Sequence, residues 1–369
     1  MLQKRKDSIR TVTGGAPPER TALVLAGGKS LGAFEAGAYG ALHNAGVRPD
    51  WIVGASIGAV NGAIIAGNPV ERRIEALRDF WTKAAQPTPA WVAGLGPWGE
   101  FARRNLAQAQ AMAFGSPAVF APNPAVWAGY AWPAPCTALG LYDLAPLRRS
   151  LEEFVDFELL NGGDVRFTAV ATNLETGGEA LFDTDKCAVG PEHILASAAM
   201  LTEFPPVEID GRLFVDGGLH SNFPIDVVQR ERQNNTLLFA VDLFSAHGQR
   251  FRNIAETIIR RQELLMAAQS HHMLEAQERE EALRRALRTV LNLLPANLRD
   301  HPDLGQAVEH AECGDIRLVR LAWPSGDEVG VNTYDWSDLT LTQRWKAGER
   351  TANGALDALL RAGPLTVTD

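Results

Sequence analysis

Two successive units of apolar run, glycine-rich turn and helical pattern open the chain and restrict its fold more than any other feature. Residues 22–25 (ALVL) are continuously apolar, as in a strand buried on both faces, and residues 27–32 (GGKSLG) follow directly. A helical pattern covers residues 33–44, before a second strand at residues 51–53 and a second glycine-bounded turn at residues 54–58 (GASIG). Strands that alternate with helices pair in parallel, so this order predicts an α/β protein with an open sheet.

The same patterns predict regular structure in the rest of the chain. Strands are expected at residues 165–172, 179–182, 213–215, 237–243 and 316–322, and helices at residues 71–85, 146–154, 193–200, 253–292 (as one helix or two) and 339–361. The length of 369 residues allows one large domain or two of medium size.

Charge and apolar runs exclude several classes of protein. The chain carries 35 basic and 44 acidic side chains, whereas a nucleic-acid-binding face needs an excess of basic residues. Residues 1–20 are too polar for a secretion signal, and no run reaches the roughly 18 apolar residues of a membrane-spanning helix. We therefore expect a cytoplasmic protein without a nucleic-acid partner, with at most transient contact at a membrane surface. Cys136, Cys187 and Cys313 match no metal-binding spacing, and neither a metal nor a cofactor is expected.

Residues 105–142 contain no charged side chain and are rich in aromatic residues and prolines. The prolines exclude a membrane-spanning helix. Two interpretations stay open for this segment. It is either a packed, loop-rich insertion or a hydrophobic lid or rim over a pocket for an apolar substrate.

Ser56 is the central residue of a G-x-S-x-G pattern. A serine on a sharp strand-to-helix turn needs small neighbours, here Gly54 and Gly58, so that the backbone can bend and the hydroxyl can project. The helix that follows directs N–H groups and its positive dipole end towards the turn, which suits a developing negative charge. The pattern favours a nucleophilic serine over a tight turn without chemistry.

The glycine-rich turn at residues 27–32 follows the first strand. Its spacing fits neither the dinucleotide-binding pattern nor the P-loop, which argues against a nucleotide site. The preferred interpretation is an oxyanion hole formed by the backbone N–H groups of Gly27, Gly28 and Lys29. The Lys29 side chain either adds positive charge there or is simply solvated.

Asp216, followed by Gly217 and Gly218, closes the strand predicted at residues 213–215. Active sites of α/β proteins form at the carboxyl ends of strands, and glycines there allow a tight turn. Within reach of Ser56, this carboxylate could act as a general base without a histidine. The alternative is a plain Asx turn, and no histidine carries the flanking pattern of a catalytic triad.

Taken in this order, the three motifs resemble those of the patatin-like phospholipases: a glycine-rich oxyanion turn, G-x-S-x-G and D-G-[GA]. The similarity extends around the aspartate to residues 194–199, 204–207 and 221–224. It covers residues 21–230, and residues 250–361 resemble the C-terminal extension of a bacterial branch of the family. Lys29 stands where the family usually has a third consecutive glycine.

The resemblance implies a three-layer α/β/α fold with a central, mostly parallel sheet and a helical C-terminal extension. It divides the chain into a disordered arm (residues 1–20), a patatin-like catalytic domain (residues 21–245) and a mainly helical extension packed on the same domain (residues 246–369). The apolar insertion lies within the catalytic domain, at about residues 86–141.

The resemblance also implies a mechanism. Ser56 would attack an ester carbonyl, Asp216 would accept its proton, and water would release the fatty acid from the acyl-enzyme. The expected substrate is a fatty-acyl ester or phospholipid, with esterase, lysophospholipase or phospholipase A activity. Two alternatives stay open: hydrolysis of another acyl ester, such as a thioester or storage polyester, and a non-catalytic lipid-binding protein in which Lys29 blocks the oxyanion turn.

Overall fold

A mixed sheet forms the centre of the computed structural model, which describes residues 18–88, 96–127, 135–231, 235–246, 254–299, 301–324 and 333–361. The strands are β1 (Arg20–Leu25), β2 (Trp51–Ala55), β3 (Ala121–Pro122), β4 (Tyr142–Asp143), β5 (Arg166–Asn173), β6 (Glu179–Asp183), β7 (Val207–Ile209), β8 (Arg212–Asp216), β9 (Thr236–Asp242) and β10 (Ile316–Ala322). Within the described residues, eight of them form the main sheet in the order β10-β9-β1-β2-β5-β8-β7, with β6 also paired to β5, while β3 and β4 pair separately.

Twelve α-helices are described around these strands. They are α1 (Gly32–Asn44), α2 (Ile57–Ala66), α3 (Arg73–Ala84), α4 (Gly96–Phe114), α5 (Ala145–Phe154), α6 (Phe157–Gly162), α7 (Pro191–Ala198), α8 (Ile225–Gln229), α9 (Ile254–Leu293), α10 (Ala296–Arg299), α11 (Gly305–Glu312) and α12 (Asp338–Arg361). The segment predicted as one helix or two at residues 253–292 is the single helix α9.

Five neighbouring strands, β10, β9, β1, β2 and β5, run parallel to one another. The step from β1 to β2 through α1 and the step from β9 to β10 through α9 lead in opposite directions across the sheet. Because such crossovers are right-handed, α1 and α9 cover opposite faces. This arrangement confirms the predicted fold class, an α/β/α protein with a mostly parallel sheet.

Along one of its edges, β5 pairs first with β2 and then, beyond the end of β2, with β8. Val170 pairs with both Ala55 of β2 and Leu181 of β6, so β2 and β6 lie on opposite edges of β5. Ala171 pairs with both Ala180 of β6 and Asp216 of β8, so β8 lies on the β2 edge and is antiparallel to β5. The carboxyl ends of β2 and β8 therefore meet head to head beside Val170 and Ala171.

The C-terminal region shares the core of the main domain. Its strand β10 extends the sheet beside β9, and α12 packs on α1 with the two backbones in close approach. A Cβ on Gly37 would lie 2.0 Å from the Trp345 carbonyl oxygen, and a Cβ on Gly348 would lie 2.0 Å from that of Phe34. Only glycine fits at these two positions, so α12 is fixed against the helix that follows the glycine-rich turn.

Two sequence predictions need correction. Residues 105–114 do not form loops but belong to α4, where Ala107 and Ala111 are buried one helical turn apart. The absence of charge in this segment therefore reflects partly a helix face buried by small side chains. Arg20 belongs to β1 rather than to the predicted arm, whose residues 1–17 lie outside the described part of the chain, as do residues 128–134 of the insertion.

Among the helices described here, none combines the length and the hydropathy that crossing a membrane would require.

Candidate active site

Ser56 occupies a sharp turn between the end of β2 and the start of α2. Its backbone has φ 55° and ψ −124°, an uncommon conformation for a residue with a side chain. A Cβ on Gly58 would lie 2.2 Å from the Leu25 carbonyl oxygen, and one on Gly54 would lie 2.4 Å from the Gly58 carbonyl oxygen. Both glycines of the G-x-S-x-G pattern are therefore required by close backbone contacts around the serine.

Ser197, on α7, holds this turn in place. The Ser56 N–H donates to Ser197 Oγ at 3.0 Å, and Ser197 Oγ donates to the Val170 carbonyl oxygen at 2.6 Å. The hydroxyl is completely buried, so both of its hydrogen bonds are protected from water. A strained backbone conformation persists where surrounding contacts fix it, and Ser197 supplies such contacts at Ser56.

Asp216 lies at the end of β8, at the junction with β2. Its N–H donates to the Ala199 carbonyl oxygen at 3.0 Å, and its carbonyl oxygen accepts from Thr172 Oγ1 at 2.9 Å. Its carboxylate Oδ1 accepts from the Gly218 N–H at 2.7 Å. A Cβ on Gly217 would lie 2.2 Å from the Val170 carbonyl oxygen, which explains the glycine directly after the acid.

Burial is the main influence on the Asp216 carboxyl. It raises the pKa from 3.8 to about 7, because the charged form loses its hydration. The Ser56 hydroxyl and the Gly218 N–H lower the pKa, the charge of Glu203 raises it and the charge of Lys29 lowers it. Oδ2 is buried without a regular hydrogen bond from the described residues, and so keeps a free acceptor position beside the serine. A carboxylate with a pKa near neutrality is suited to general-base catalysis.

The glycine-rich turn lies against both groups. The Gly27 N–H donates to the Asn222 carbonyl oxygen at 3.1 Å, and Asn222 Nδ2 donates to the Gly27 carbonyl oxygen at 3.1 Å. A Cβ on Gly27 would lie 3.0 Å from the Cβ of Ser56. The Gly27 N–H is therefore engaged, which corrects its predicted use in an oxyanion hole. Within the described residues, the N–H groups of Gly28 and Lys29 have no hydrogen-bond partner.

The Lys29 side chain turns towards Glu203 and Tyr334. Its Nζ lies 2.6 Å from Glu203 Oε1 and 4.2 Å from the centroid of the Tyr334 ring. The Lys29 backbone has φ 52°, the left-handed conformation in which a third glycine would be unstrained. The predicted choice between added charge and simple solvation is thus replaced by a third arrangement, an ion pair inside the site.

Residues of the C-terminal segment fix the glycine-rich turn through hydrogen bonds. Ser30 Oγ donates to the Thr333 carbonyl oxygen at 2.7 Å, and Arg344 Nη1 donates to Ser30 Oγ at 2.6 Å. Arg344 is completely buried, and its Nη1 also donates to the Asp335 carbonyl oxygen at 3.3 Å. The turn is therefore held by residues more than 300 positions away in the sequence.

Ser56, Asp216 and the turn line one open cavity, whose empty space is about 690 Å³ when the open solvent within it is included. Its walls are mainly apolar, as in Val60, Val119, Phe120, Leu147, Phe204 and Trp336. Lys29, Glu203 and Asp216 are the charged side chains among the described lining residues. An apolar cavity with a few polar groups at one place suits a ligand with a long apolar part and one reactive group.

A family model described as patatin-like phospholipase matches residues 23–228, which is more than half of the chain. The chain belongs to the patatin-like phospholipase family. A second model, described as patatin phospholipase, matches residues 267–361. The family is one of hydrolases that act on lipid esters. A search among curated proteins found no match.

The solved structures that are similar to this protein share little sequence identity with it. VipD from Legionella pneumophila shares 14% identity with a TM-score of 0.40, over 93% of this chain and 67% of VipD. The type III effector protein ExoU shares 15% identity with a TM-score of 0.34, over 93% of this chain and 54% of ExoU. The chain thus spans about two thirds of VipD and about half of ExoU.

The patatin-like site brings the three predicted motifs together around one cavity. No described histidine lines it, and His220, the one nearest to Asp216 in sequence, contacts the Gly177 carbonyl oxygen through Nδ1 at 3.2 Å. Among the described residues, no cluster of three or more potential metal ligands occurs. Sequence reasoning missed Glu203 and Tyr334 as site residues, because no local pattern marks a side chain whose partner is more than a hundred residues away.

Proposed function

We propose that this protein is a serine lipid acyl hydrolase in which Ser56 is the nucleophile and Asp216 the general base. The observation that carries the proposal is the junction of β2 and β8 beside β5. It brings a serine on a strained turn and a buried carboxylate with a pKa of about 7 to the same apolar cavity. A base with such a pKa can accept the serine proton near neutral pH without a histidine.

The proposed reaction has two steps. Ser56 Oγ forms a bond to the ester carbonyl carbon while its proton passes to Asp216, and the departing alcohol then takes that proton. Water attacks the acyl-enzyme, gives its proton to Asp216, and the proton returns to Ser56 Oγ as the fatty acid leaves. The free N–H groups of Gly28 and Lys29 would hold the negative charge on the carbonyl oxygen in both steps.

A fatty-acyl chain is the substrate part that the cavity suits best, because apolar side chains make up most of its wall. Val119 and Phe120 of the apolar insertion belong to this wall, which favours the lid or rim interpretation of that segment. Outside the cavity, Met112, Phe114 and Trp127 of the same segment are between 52% and 80% exposed. These exposed apolar side chains support transient contact with a membrane surface that presents phospholipid. A thioester or storage polyester would use the same residues.

The test is hydrolysis of p-nitrophenyl esters of increasing chain length, with EDTA present, by wild type, Ser56→Ala and Asp216→Asn. Both variants are expected to lose activity, and Ser56→Ala is expected to lose labelling by a fluorophosphonate probe. Ser150→Ala is the matched control, because Ser150 is buried but does not line the cavity. Folding is checked by circular dichroism. Wild-type protein that neither hydrolyses any ester nor reacts with the probe would indicate the non-catalytic lipid-binding alternative.

A further inference from the structure

Lys29, Glu203 and Tyr334 form a compact polar cluster inside the mainly apolar cavity. The Lys29 ammonium lies 2.6 Å from Glu203 Oε1, and both side chains are only 15% exposed. The Tyr334 ring lies under the same ammonium at 4.2 Å, and the Tyr334 hydroxyl is hydrogen-bonded to Glu203. A charge pair so shielded from water interacts strongly, and each partner becomes costly if the other is removed.

The backbone is conformationally strained at Lys29 and at the residue before Glu203. Lys29 has φ 52°, and Thr202, directly before Glu203, has φ 71°. For residues other than glycine, such conformations cost about 1 kcal/mol or more each. Main-chain bonds fix the second strained residue, since the Leu141 N–H donates to the Thr202 carbonyl oxygen at 3.1 Å and the Tyr142 N–H donates to that of Glu203 at 2.8 Å. The cluster is therefore held in place by three separate parts of the chain.

The ion pair also acts on the catalytic carboxylate. Glu203 raises the pKa of Asp216 and Lys29 lowers it, so their effects oppose each other. Besides Asp216 itself, no other described charged side chain lines the cavity. Of the titratable groups on neighbouring elements, His193 of α7 accepts from the Gly190 N–H, His220 contacts the Gly177 carbonyl oxygen, and Glu263 of α9 pairs with Arg260. The balance of charge around Asp216 therefore depends on Glu203 and Lys29.

We propose that Glu203 is a positioning residue that, with Tyr334, draws the Lys29 ammonium away from the anion-binding turn and neutralises its charge next to Asp216. The proposal rests on the proposed function of Ser56 and Asp216. It explains how a lysine can replace glycine in the turn. The Lys29 N–H stays available, its side chain leaves the turn open, and its charge does not disable the base.

The test is the pH dependence of kcat/KM for wild type, Glu203→Gln, Lys29→Met and the double variant. In Glu203→Gln the uncompensated lysine stabilises the Asp216 carboxylate, so the acidic limb of the profile shifts to lower pH. In Lys29→Met the uncompensated glutamate shifts it to higher pH, and the double variant returns close to wild type. Each single shift is expected to be about one pH unit. Lys83→Met and Glu153→Gln, which alter an exposed ion pair outside the cavity, are the matched controls and leave the profile unchanged.

Opposite shifts that cancel in the double variant cannot come from a general loss of structure. If Lys29→Met does not fold, Lys29→Gly removes the same charge and also suits the left-handed backbone, so it must shift the limb upwards. Single variants that shift the limb in the same direction, or not at all, would overturn the proposal while Ser56-dependent activity persists. Wild-type activity that survives Ser56→Ala would instead refute the proposed function.

Discussion

Asp216→Asn is expected to abolish ester hydrolysis and to make the fold more stable at neutral pH. The Asp216 side chain is completely buried, and burial raises its pKa from 3.8 to about 7. A buried carboxylate loses its hydration when it is charged. Asparagine keeps the shape of the side chain and an oxygen that can accept from the Gly218 N–H, but it carries no charge. The substitution therefore removes the proposed base and, at the same time, the destabilisation of the fold by its buried charge.

The size of the effect follows from the two pKa values. A difference of one pH unit corresponds to about 1.4 kcal/mol, so charged Asp216 weakens the native state by about 4 kcal/mol above pH 7. Between about pH 4 and pH 7 the native protein keeps a proton that the unfolded chain has already released. The contribution of Asp216 to the free energy of unfolding of wild type therefore falls as the pH rises through this range. Relative to an uncharged side chain, Asp216 lowers the free energy of unfolding by about 2 kcal/mol at about pH 5 and by about 4 kcal/mol at about pH 8.

The assay is urea unfolding of wild type and Asp216→Asn at several pH values from about 5 to about 8. The stability advantage of the variant is expected to grow by about 2 to 3 kcal/mol across this range. Asp79→Asn removes an exposed carboxylate and is expected to follow the wild-type curve. An advantage that does not change with pH, or a variant less stable than wild type at about pH 8, would refute the reasoning about the buried charge.

Two further substitutions test the support of the site and its substrate wall. Ser197→Ala removes the buried hydroxyl that accepts from the Ser56 N–H and donates to the Val170 carbonyl oxygen. We expect kcat to fall about tenfold or more at similar KM, and the free energy of unfolding to fall by about 1–3 kcal/mol. Unchanged kcat would show that the turn needs no such support. Val119→Ala removes part of the apolar wall, so kcat/KM is expected to fall about three- to fivefold for long-chain esters and to stay unchanged for short ones. An equal loss for both would indicate that the insertion is a packed segment without a role in binding the acyl chain.

The local parts of this protein could be predicted from sequence because each rests on local physics. An apolar run before a glycine-rich turn predicted β1 and β2, and the G-x-S-x-G spacing predicted a turn that glycines must flank. Both features depend on residues a few positions apart. In α4, by contrast, the burial of Ala107 and Ala111 depends on what packs against the helix. The uncharged segment with its prolines therefore favoured loops, although its first ten residues are helical. Composition alone does not separate a helix with a small-residue face from an apolar loop.

Long-range contacts explain the remaining differences. No sequence pattern near Glu203 predicts its ion pair with Lys29, which is 174 positions away. Similarly, the engagement of the Gly27 N–H by Asn222 is visible only once the loop after Asp216 lies against the glycine-rich turn. A sequence motif gives the residues that can do chemistry, whereas the donors left free for it depend on the tertiary contacts of the same residues.

In the proposed mechanism a serine and an aspartate are sufficient because a single strand of the sheet, β8, is reversed. If β8 ran parallel to β5, its carboxyl end would point away from β2 instead of meeting it at Ala171. Because β8 enters antiparallel, Asp216 arrives along the sheet itself, fixed by Thr172 and Ala199 through its own backbone. As the proposed base, a carboxylate fixed on a rigid strand reaches the serine without an intermediate imidazole, and at this position it is completely buried. That burial brings the pKa into the range in which a carboxylate can accept and return a proton near neutrality.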